Sequence, residues 1–290
     1  MTTPILRTVP DLRATARVWK AAGQTIGVVP TMGALHEGHA SLIRAASRGG
    51  RPVVVSIFVN PTQFGPNEDY ARYPRTLDAD LRTCASAGAA AVFVPAVEAI
   101  YPRGIDAARD EAAHLALPAV ATQPRLEDAC RPGHFAGVVQ VVTRLFELVQ
   151  PAVAHFGEKD WQQLRVITDM VEMHPTRFDG LRIVPEPTVR EDNGLAMSSR
   201  NRYLEPGQIE AARGLSRALQ VACAAQHPGT AEALMHGVLE EHGLEVQYAV
   251  IRSAQSLMPV QGFETPTRGL IAAKLGSVRL IDTMALPVWR

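Results

Sequence analysis

Residues 26–42 read IGVVPTMGALHEGHASL, and the fold turns on how that stretch divides. The short aliphatic run 26–30 reads as a strand, like the continuous, β-branched run 53–59 that suits a strand covered on both faces. A glycine-containing turn follows. An apolar helical period then sets in at Leu42, Ile43, Ala45 and Ala46, so a helix is expected to begin at or just after Gly38. Strand, glycine turn and helix make the unit from which parallel sheets are assembled.

The same texture recurs along the chain. Residues 53–59 (VVVSIFV), 91–94 (AVFV), 152–156 (AVAHF) and 181–184 (LRIV) read as further buried strands. Helical patterns occupy 77–87, 138–149 and 160–171. In the second of these Val138, Val142, Leu145 and Val149 share one face, and Pro151 ends it. Five strands alternating with helices predict an α/β fold, a doubly wound parallel sheet with right-handed crossovers. After residue 186 a polar loop leads to an Ala-rich helix over about 209–225, a helix at 231–242 and strand patterns at 245–251, 268–274 and 278–282. That mixture predicts a smaller α+β domain, with boundaries at 1–186 and 187–290.

Composition narrows the function. Of 290 residues, 47% are hydrophobic, and 29 basic residues balance 29 acidic ones, which excludes intrinsic disorder. There is no basic excess for generic nucleic-acid or anionic-membrane binding, so an anionic ligand must be gripped locally. Cys84, Cys130 and Cys223 fall in no metal-ligand spacing and suit reduced thiols. The N-terminal stretch lacks the charged-then-apolar order of a signal peptide, and no apolar run approaches the ~20 residues that span a bilayer. The expectation is a soluble, cytoplasmic protein.

In open parallel sheets ligands bind beyond the carboxyl ends of the strands, and three of four notable segments fall there. After the first strand, His36, Gly38 and His39 surround a helix N-terminus, which suits phosphate. A zinc reading lacks a third ligand and the i, i+4 spacing. FVNPTQF (58–64) offers Asn60 and Gln63, neutral amides suited to hydroxyl or carboxylate groups. HFGEKDWQQL (155–164) repeats the strand, glycine and helix geometry. There Lys159 can reach a phosphate, Asp160 reads as an N-cap or first-turn acid, and Gln163 lies one turn on. GLAMSSRN (194–201) presents Ser198, Ser199 and Arg200 as donors without competing acceptors, a clamp for polyphosphate. Together these segments favour a mononucleotide triphosphate site. No Walker A or GxGxxG signature is present.

With PTMGALHEGH, SIFVNPTQF, RPGHFAGV, FGEKDWQQL and GLAMSSRN combined, roughly residues 25–204 resemble the pantoate–β-alanine ligase (pantothenate synthetase) family of the HxGH nucleotidylyltransferase superfamily. The terminal RGLIAAKLGSVRLIDT resembles that family's ending. The resemblance implies a Rossmann-like sheet and ATP-dependent condensation of (R)-pantoate with β-alanine to pantothenate. It further implies a pantoyl-adenylate intermediate, release of AMP and pyrophosphate, Mg2+ and a homodimer. By resemblance, His39 (a proton donor in the family), His36, Lys159 and Arg200 are catalytic. Met32, Gly33, Ala34, Leu35, Glu37, Gly38, Gly157, Glu158, Asp160, Val189, Met197, Ser198 and Ser199 join them around ATP. Gln63, Gln163, Asn60, Arg131 and His134 hold pantoate or β-alanine. Asp80 is the nearest match to a metal-contacting position, with a plain helix N-terminal acid as the alternative.

Three positions depart from the family pattern: Asp128 stands where Gly is frequent, Thr62 where Met is common and Asn193 where Asp is usual. Asp128 bears on the local backbone, since Asp adopts positive φ less readily than Gly. Two other readings remain open. One is a nucleotidyl transferase that leaves the nucleotide on its product; the other is a nucleotide-binding regulator without catalysis. Closure of the second domain, carrying residues 198–200 toward the phosphates, is also expected.

Overall fold

Short aliphatic strands pair in parallel to make the larger sheet. The structure, a computed structural model, describes residues 3–66 and 68–288. Among these residues β1 (Ile5–Leu6), β2 (Gly27–Thr31), β3 (Val53–Ile57), β4 (Ala91–Phe93), β5 (Val153–Gly157) and β6 (Arg182–Glu186) form one six-stranded sheet in the order β1-β4-β3-β2-β5-β6. Every pairing is parallel. The chain winds from β2 through β3 to β4, then returns to β5 on the other side of β2. The topological switch point therefore lies between β2 and β5, where ligands bind in such sheets.

Alternation along the strands supplies both faces. Val28 and Val54 join Leu12, Val138 and Val142 in one apolar cluster, whereas Val29, Val53 and Val55 join Ile43, Ala46 and Cys84 in another. The expected doubly wound sheet is present, with differences at its edges. β1 is too short to show a period and is recognised only by its pairing, Ile5 with Val92 and Leu6 with Phe93. β6 is an edge strand with partly exposed residues rather than a buried one. The helix Val9–Ala21 also lay outside the sequence reading, although Thr8 caps it by accepting from the Asp11 amide at 3.2 Å.

The remaining chain forms the antiparallel strands β7 (Glu245–Ser253), β8 (Thr267–Leu275) and β9 (Val278–Ala285), packed on Gly214–Ala222 and Pro228–Glu241. The single Ala-rich helix expected over 209–225 is two segments, Pro206–Ala212 and Gly214–Ala222. Polar links fasten this sheet to the first. Arg279 donates to Glu127 at 2.9 and 2.6 Å, and the Tyr248 hydroxyl donates to the same carboxylate at 2.6 Å. The Arg268 guanidinium pairs with Glu158 and lies 3.5 Å from the centroid of the Trp161 ring, whose Nε1 donates to Ala254 O at 2.9 Å. No helix among the described residues is long and apolar enough to cross a membrane.

One close contact sets the position of the strand-end turn after β3. The helix His134–Val149 begins just past Gly133, which has φ 82°, four residues earlier than its apolar period suggests. At Gly137 its backbone lies against the 3-10 turn Pro61–Gln63: a Cβ there would come within 2.5 Å of Thr62 O and 2.6 Å of Gln63 N. Asn60 Nδ2 donates to Gly137 O at 3.1 Å across the same contact. The neighbouring His134 completes the brace. Its Nδ1 donates to Gln63 O at 3.0 Å, leaving Nε2 to accept from Arg131 Nη1, also at 3.0 Å. Burial and the adjacent guanidinium push the His134 pKa down to about 3.

Two measurements check this arrangement. Ala in place of Gly137 gains about 1 kcal/mol in helix propensity, but overpacking against backbone costs typically about 1–3 kcal/mol. Gly137→Ala should therefore unfold at lower denaturant concentration; a higher midpoint would show that the turn yields freely. His134 gives a pH test. The unfolded imidazole binds a proton near 6.5 and the folded one only near 3. Its contribution is complete above pH 6.5 and is lost as pH falls toward 3, about 2 kcal/mol at pH 5. Replacement by Gln should flatten the fall in stability between pH 7 and 5 by that amount, and an unaltered slope would contradict the assignment.

Candidate functional site

A cleft of about 220 Å³ opens at the carboxyl ends of β2, β3 and β5, with residues 187–189 and 197–200 on its rim. The turn after β2 supplies its first wall. Gly33 (φ 81°) and Ala34 (φ 50°) take the left-handed conformation, which for Ala needs outside support. Asp80 provides it: the carboxylate, 1% exposed, accepts from the Ala34 amide at 3.0 Å, the Leu35 amide at 2.8 Å and the Thr76 hydroxyl at 3.1 Å. The helix Glu37–Ser47 starts immediately beyond, one residue earlier than expected.

That geometry brings two imidazoles together at the helix N-terminus. The rings of His36 and His39 have centroids 4.1 Å apart, and His39 Nδ1 accepts from the His36 amide at 3.3 Å. In the neutral ring the His39 proton therefore sits on Nε2. His36 Nδ1 is buried without a hydrogen-bond partner in the structure. Gly38 makes room for this, because a Cβ there would lie 2.9 Å from the His36 ring. Burial, His39 and the nearby cations push the His36 pKa down to about 2; burial and Lys159 hold His39 at about 4. Lys159, just past β5, lines the same cleft, and burial lowers its pKa despite Asp160 and Asp282 nearby. The cleft thus collects donors and cations that anionic oxygens would satisfy.

Asn60, Gln63 and Gln163 also line it. Asn60 is saturated: Nδ2 donates to Gln63 Oε1 and Gly137 O, while Oδ1 accepts from Tyr101 and from the Thr62 amide and hydroxyl. It orients Gln63, whose Nε2 approaches Met32 Sδ at 3.3 Å. Gln162 is spent on Glu127, Val120 and Asp128, whereas Gln163 faces the cleft. Gly157, Asp160, Val189, Met197, Ser198, Ser199 and Arg200 complete the residues gathered there. Asp160 occupies the N-cap position, yet its side chain caps nothing.

Several sequence expectations are corrected. Asp80 does not line the cleft; its carboxylate is turned to the Ala34 and Leu35 amides and the Thr76 hydroxyl. Gly33, Ala34 and Leu35 shape the turn from behind and do not line the cleft. Glu37 is exposed and pairs with Arg44, and Glu158 pairs with Arg268. Arg131 and His134 border an adjoining cavity of about 30 Å³, with the Arg131 guanidinium bound to Glu68 at 2.7 Å through both Nε and Nη2. Arg200 is not free of competing acceptors: Asp69 accepts from its Nε and Nη2, both at 3.0 Å, and Tyr73 lies beneath at 5.8 Å. Ser198 Oγ accepts from the Arg200 amide at 3.2 Å, and Ser199 donates to Ala34 O at 3.0 Å.

The three departures find uses. Asp128 holds its loop by accepting from the Arg125 and Leu126 amides at 3.0 and 2.8 Å, and the positive φ (59°) falls on Arg125 instead. Thr62 hydrogen-bonds Asn60, and Asn193 accepts from the Leu195 amide. Sequence reasoning missed Glu68, Asp69 and Tyr73. Their one signal was the long irregular stretch after NPTQF, since loops of that length are commonly functional.

Comparison with known proteins agrees with this architecture. A family model described as pantoate-beta-alanine ligase matches residues 4–285. Pantothenate synthetase from Rubrobacter xylanophilus is 46% identical over 291 residues, covering 98% of each chain. The crystal structure of pantothenate synthetase from Thermus thermophilus superposes with TM-score 0.86 at 39% identity, covering 97% of this chain and 99% of that one. A pantoate-beta-alanine ligase from Francisella tularensis, crystallised with "Beta-gamma ATP" and β-alanine, gives TM-score 0.76 at 32% identity, with 97% of each chain covered. The nucleotidyl-transferase and regulator readings give way to a ligase: the chain belongs to the pantoate–β-alanine ligase family.

Proposed function

We propose that this ligase condenses (R)-pantoate with β-alanine through a pantoyl adenylate, consuming ATP and releasing pyrophosphate and AMP. The observation that carries the proposal is the convergence of two neutral imidazoles, Lys159 and Arg200 on the carboxyl ends of β2 and β5. In the first step a pantoate carboxylate oxygen bonds to the α-phosphorus as the bond to the bridging oxygen breaks, and pyrophosphate departs with that oxygen. Negative charge builds on the phosphate oxygens, and donors already aimed at them are the main lever on the barrier. Lys159 and the His39 Nε2 proton serve the α- and β-phosphates. Arg200 reaches them by exchanging Asp69 for phosphate, with Ser198 and Ser199 on the same segment. Gln63, held by Asn60, and Gln163 hold the pantoate hydroxyl and carboxylate. Gly157, Val189 and Met197 flank the adenosine.

In the second step the β-alanine nitrogen bonds to the acyl carbon, the carbon–oxygen bond to AMP breaks and the amine loses a proton. An acyl adenylate is already reactive, so proximity supplies much of this rate. Magnesium finds no protein cage: among the described residues no three His, Cys, Asp or Glu side chains form a metal-binding group. The ion would come on the nucleotide's own phosphates and waters. The proposal includes two lobes, 1–186 and 187–290, with the second closing over the cleft. It also includes a homodimer and a cytoplasmic location, for which the family resemblance and three free thiols are the support.

The direct test follows AMP and pyrophosphate with pantoate, first without and then with β-alanine. Single-turnover pyrophosphate release without amine, and sustained AMP release only with it, is expected; AMP release that ignores β-alanine would exclude the route. Replacing Lys159 or His39 by Ala should slow adenylation about 10²-fold or more, and near-normal rates in both would remove the assigned roles. Proton linkage gives a third check. A triphosphate raises the lowered pKa of His36, whose Nδ1 is free to take a proton, so ATP added as its Mg2+ complex, with the γ-phosphate already ionised, should bind with proton uptake near pH 6. Calorimetry in buffers of different ionisation enthalpy reads this, and proton release at that pH would contradict it.

A further inference from the structure

His155 is a polar residue on an otherwise aliphatic strand, and the mechanism above leaves it without a task. It stands on β5 opposite Val184 of β6, with Gly157 opposite Glu186, so His155 and Glu186 are diagonal neighbours on one face of the sheet. His155 Nδ1 lies 2.8 Å from Glu186 Oε1, and the two side chains are only 9% and 19% exposed. A carboxylate only accepts, so the proton between them belongs to Nδ1. In the neutral imidazole that tautomer leaves Nε2 as an acceptor. Nε2 has no hydrogen-bond partner among the described residues, and His155 forms part of the cleft wall with Leu42, Pro187, Val189 and Met197.

The chemistry of this wall selects its occupant. An acceptor backed by a carboxylate repels phosphate, which belongs with Lys159 and Arg200. The apolar side chains among these lining residues suit a flat ring, and the unpaired Nε2 beside them requires a donor. We propose that His155, oriented by Glu186, accepts a hydrogen bond from the exocyclic amino group of the nucleotide base and selects a 6-aminopurine over a 6-oxopurine. A 6-oxopurine would set a carbonyl lone pair against the Nε2 lone pair, leaving a buried acceptor unpaired. This inference rests on the ATP-binding reading of the cleft. His155 is thus a specificity-determining residue, and Glu186 is a positioning residue that fixes its tautomer.

The test compares kcat/KM for ATP and for inosine triphosphate, which carries oxygen in place of the 6-amino group. Measuring the ratio within each preparation cancels differences in active fraction. The wild type should prefer ATP at least tenfold. His155→Phe, which keeps a ring in the wall, should cut that preference about tenfold through a higher KM for ATP, with kcat at saturation little changed. Glu186→Ala should shift the ratio the same way, while Glu186→Gln, whose amide oxygen still accepts from Nδ1, should restore most of it. An unchanged ratio in both His155→Phe and Glu186→Ala, or a wild type indifferent between the two nucleotides, would overturn the proposal. A wild type that turns over neither nucleotide with pantoate would instead remove the adenylation reading beneath it.

Discussion

A single buried carboxylate, Asp80, holds the turn on which the site depends. Its bonds to two successive amides keep Ala34 in a left-handed conformation that an alanine would leave if unsupported. That conformation turns the chain sharply between β2 and the next helix, so His36 and His39 arrive side by side at the helix N-terminus, their rings tilted 44° to each other. Ser199, on a segment 165 residues away in sequence, donates to the carbonyl of the same alanine. The turn therefore also registers the loop that brings Arg200. Loss of the carboxylate would leave two amides unpaired in a dry interior, a cost well above that of an ordinary surface contact.

Around this turn the protein gathers positive and potentially positive groups, and the electrostatic cost is met in two ways. The imidazoles shed their protons, as their depressed pKa values record. Arg200 cannot do so, and its charge is instead held by Asp69. The free enzyme is thus poised: its donors are aimed and its charges are muted.

Much of this was legible in the sequence. The strands 53–59 and 152–156 declare themselves by uninterrupted aliphatic residues, and the HxGH turn and Lys159 follow from strand, glycine and helix order. What was hidden depends on distant pairing. β1 exists only through β4, and no local period marks two residues. Asp80 read as a metal-contacting position or a helix N-terminal acid; it does lie in the first turn of its helix, and it is also a clamp across 46 positions. Asn60 and Arg131 border the cavities, but their hydrogen bonds to Gly137, Tyr101 and Glu68, from other segments, were not visible in the sequence. Side-chain type announced the chemistry; only tertiary contact could say which donors were already spent.

The link between Arg190 and Asp282 has a mechanical consequence. Arg190 grips the buried Asp282 of β9 with bonds of 2.7 and 3.0 Å and also donates to Gly194 O at 3.1 Å. The segment bearing Ser198 to Arg200 is thereby bolted to the antiparallel sheet, while Ser199 touches the parallel one. The loop that carries Arg200 is thus tethered on two sides, to β9 through Arg190 and to the turn after β2 through Ser199, so its guanidinium is placed by both sheets at once.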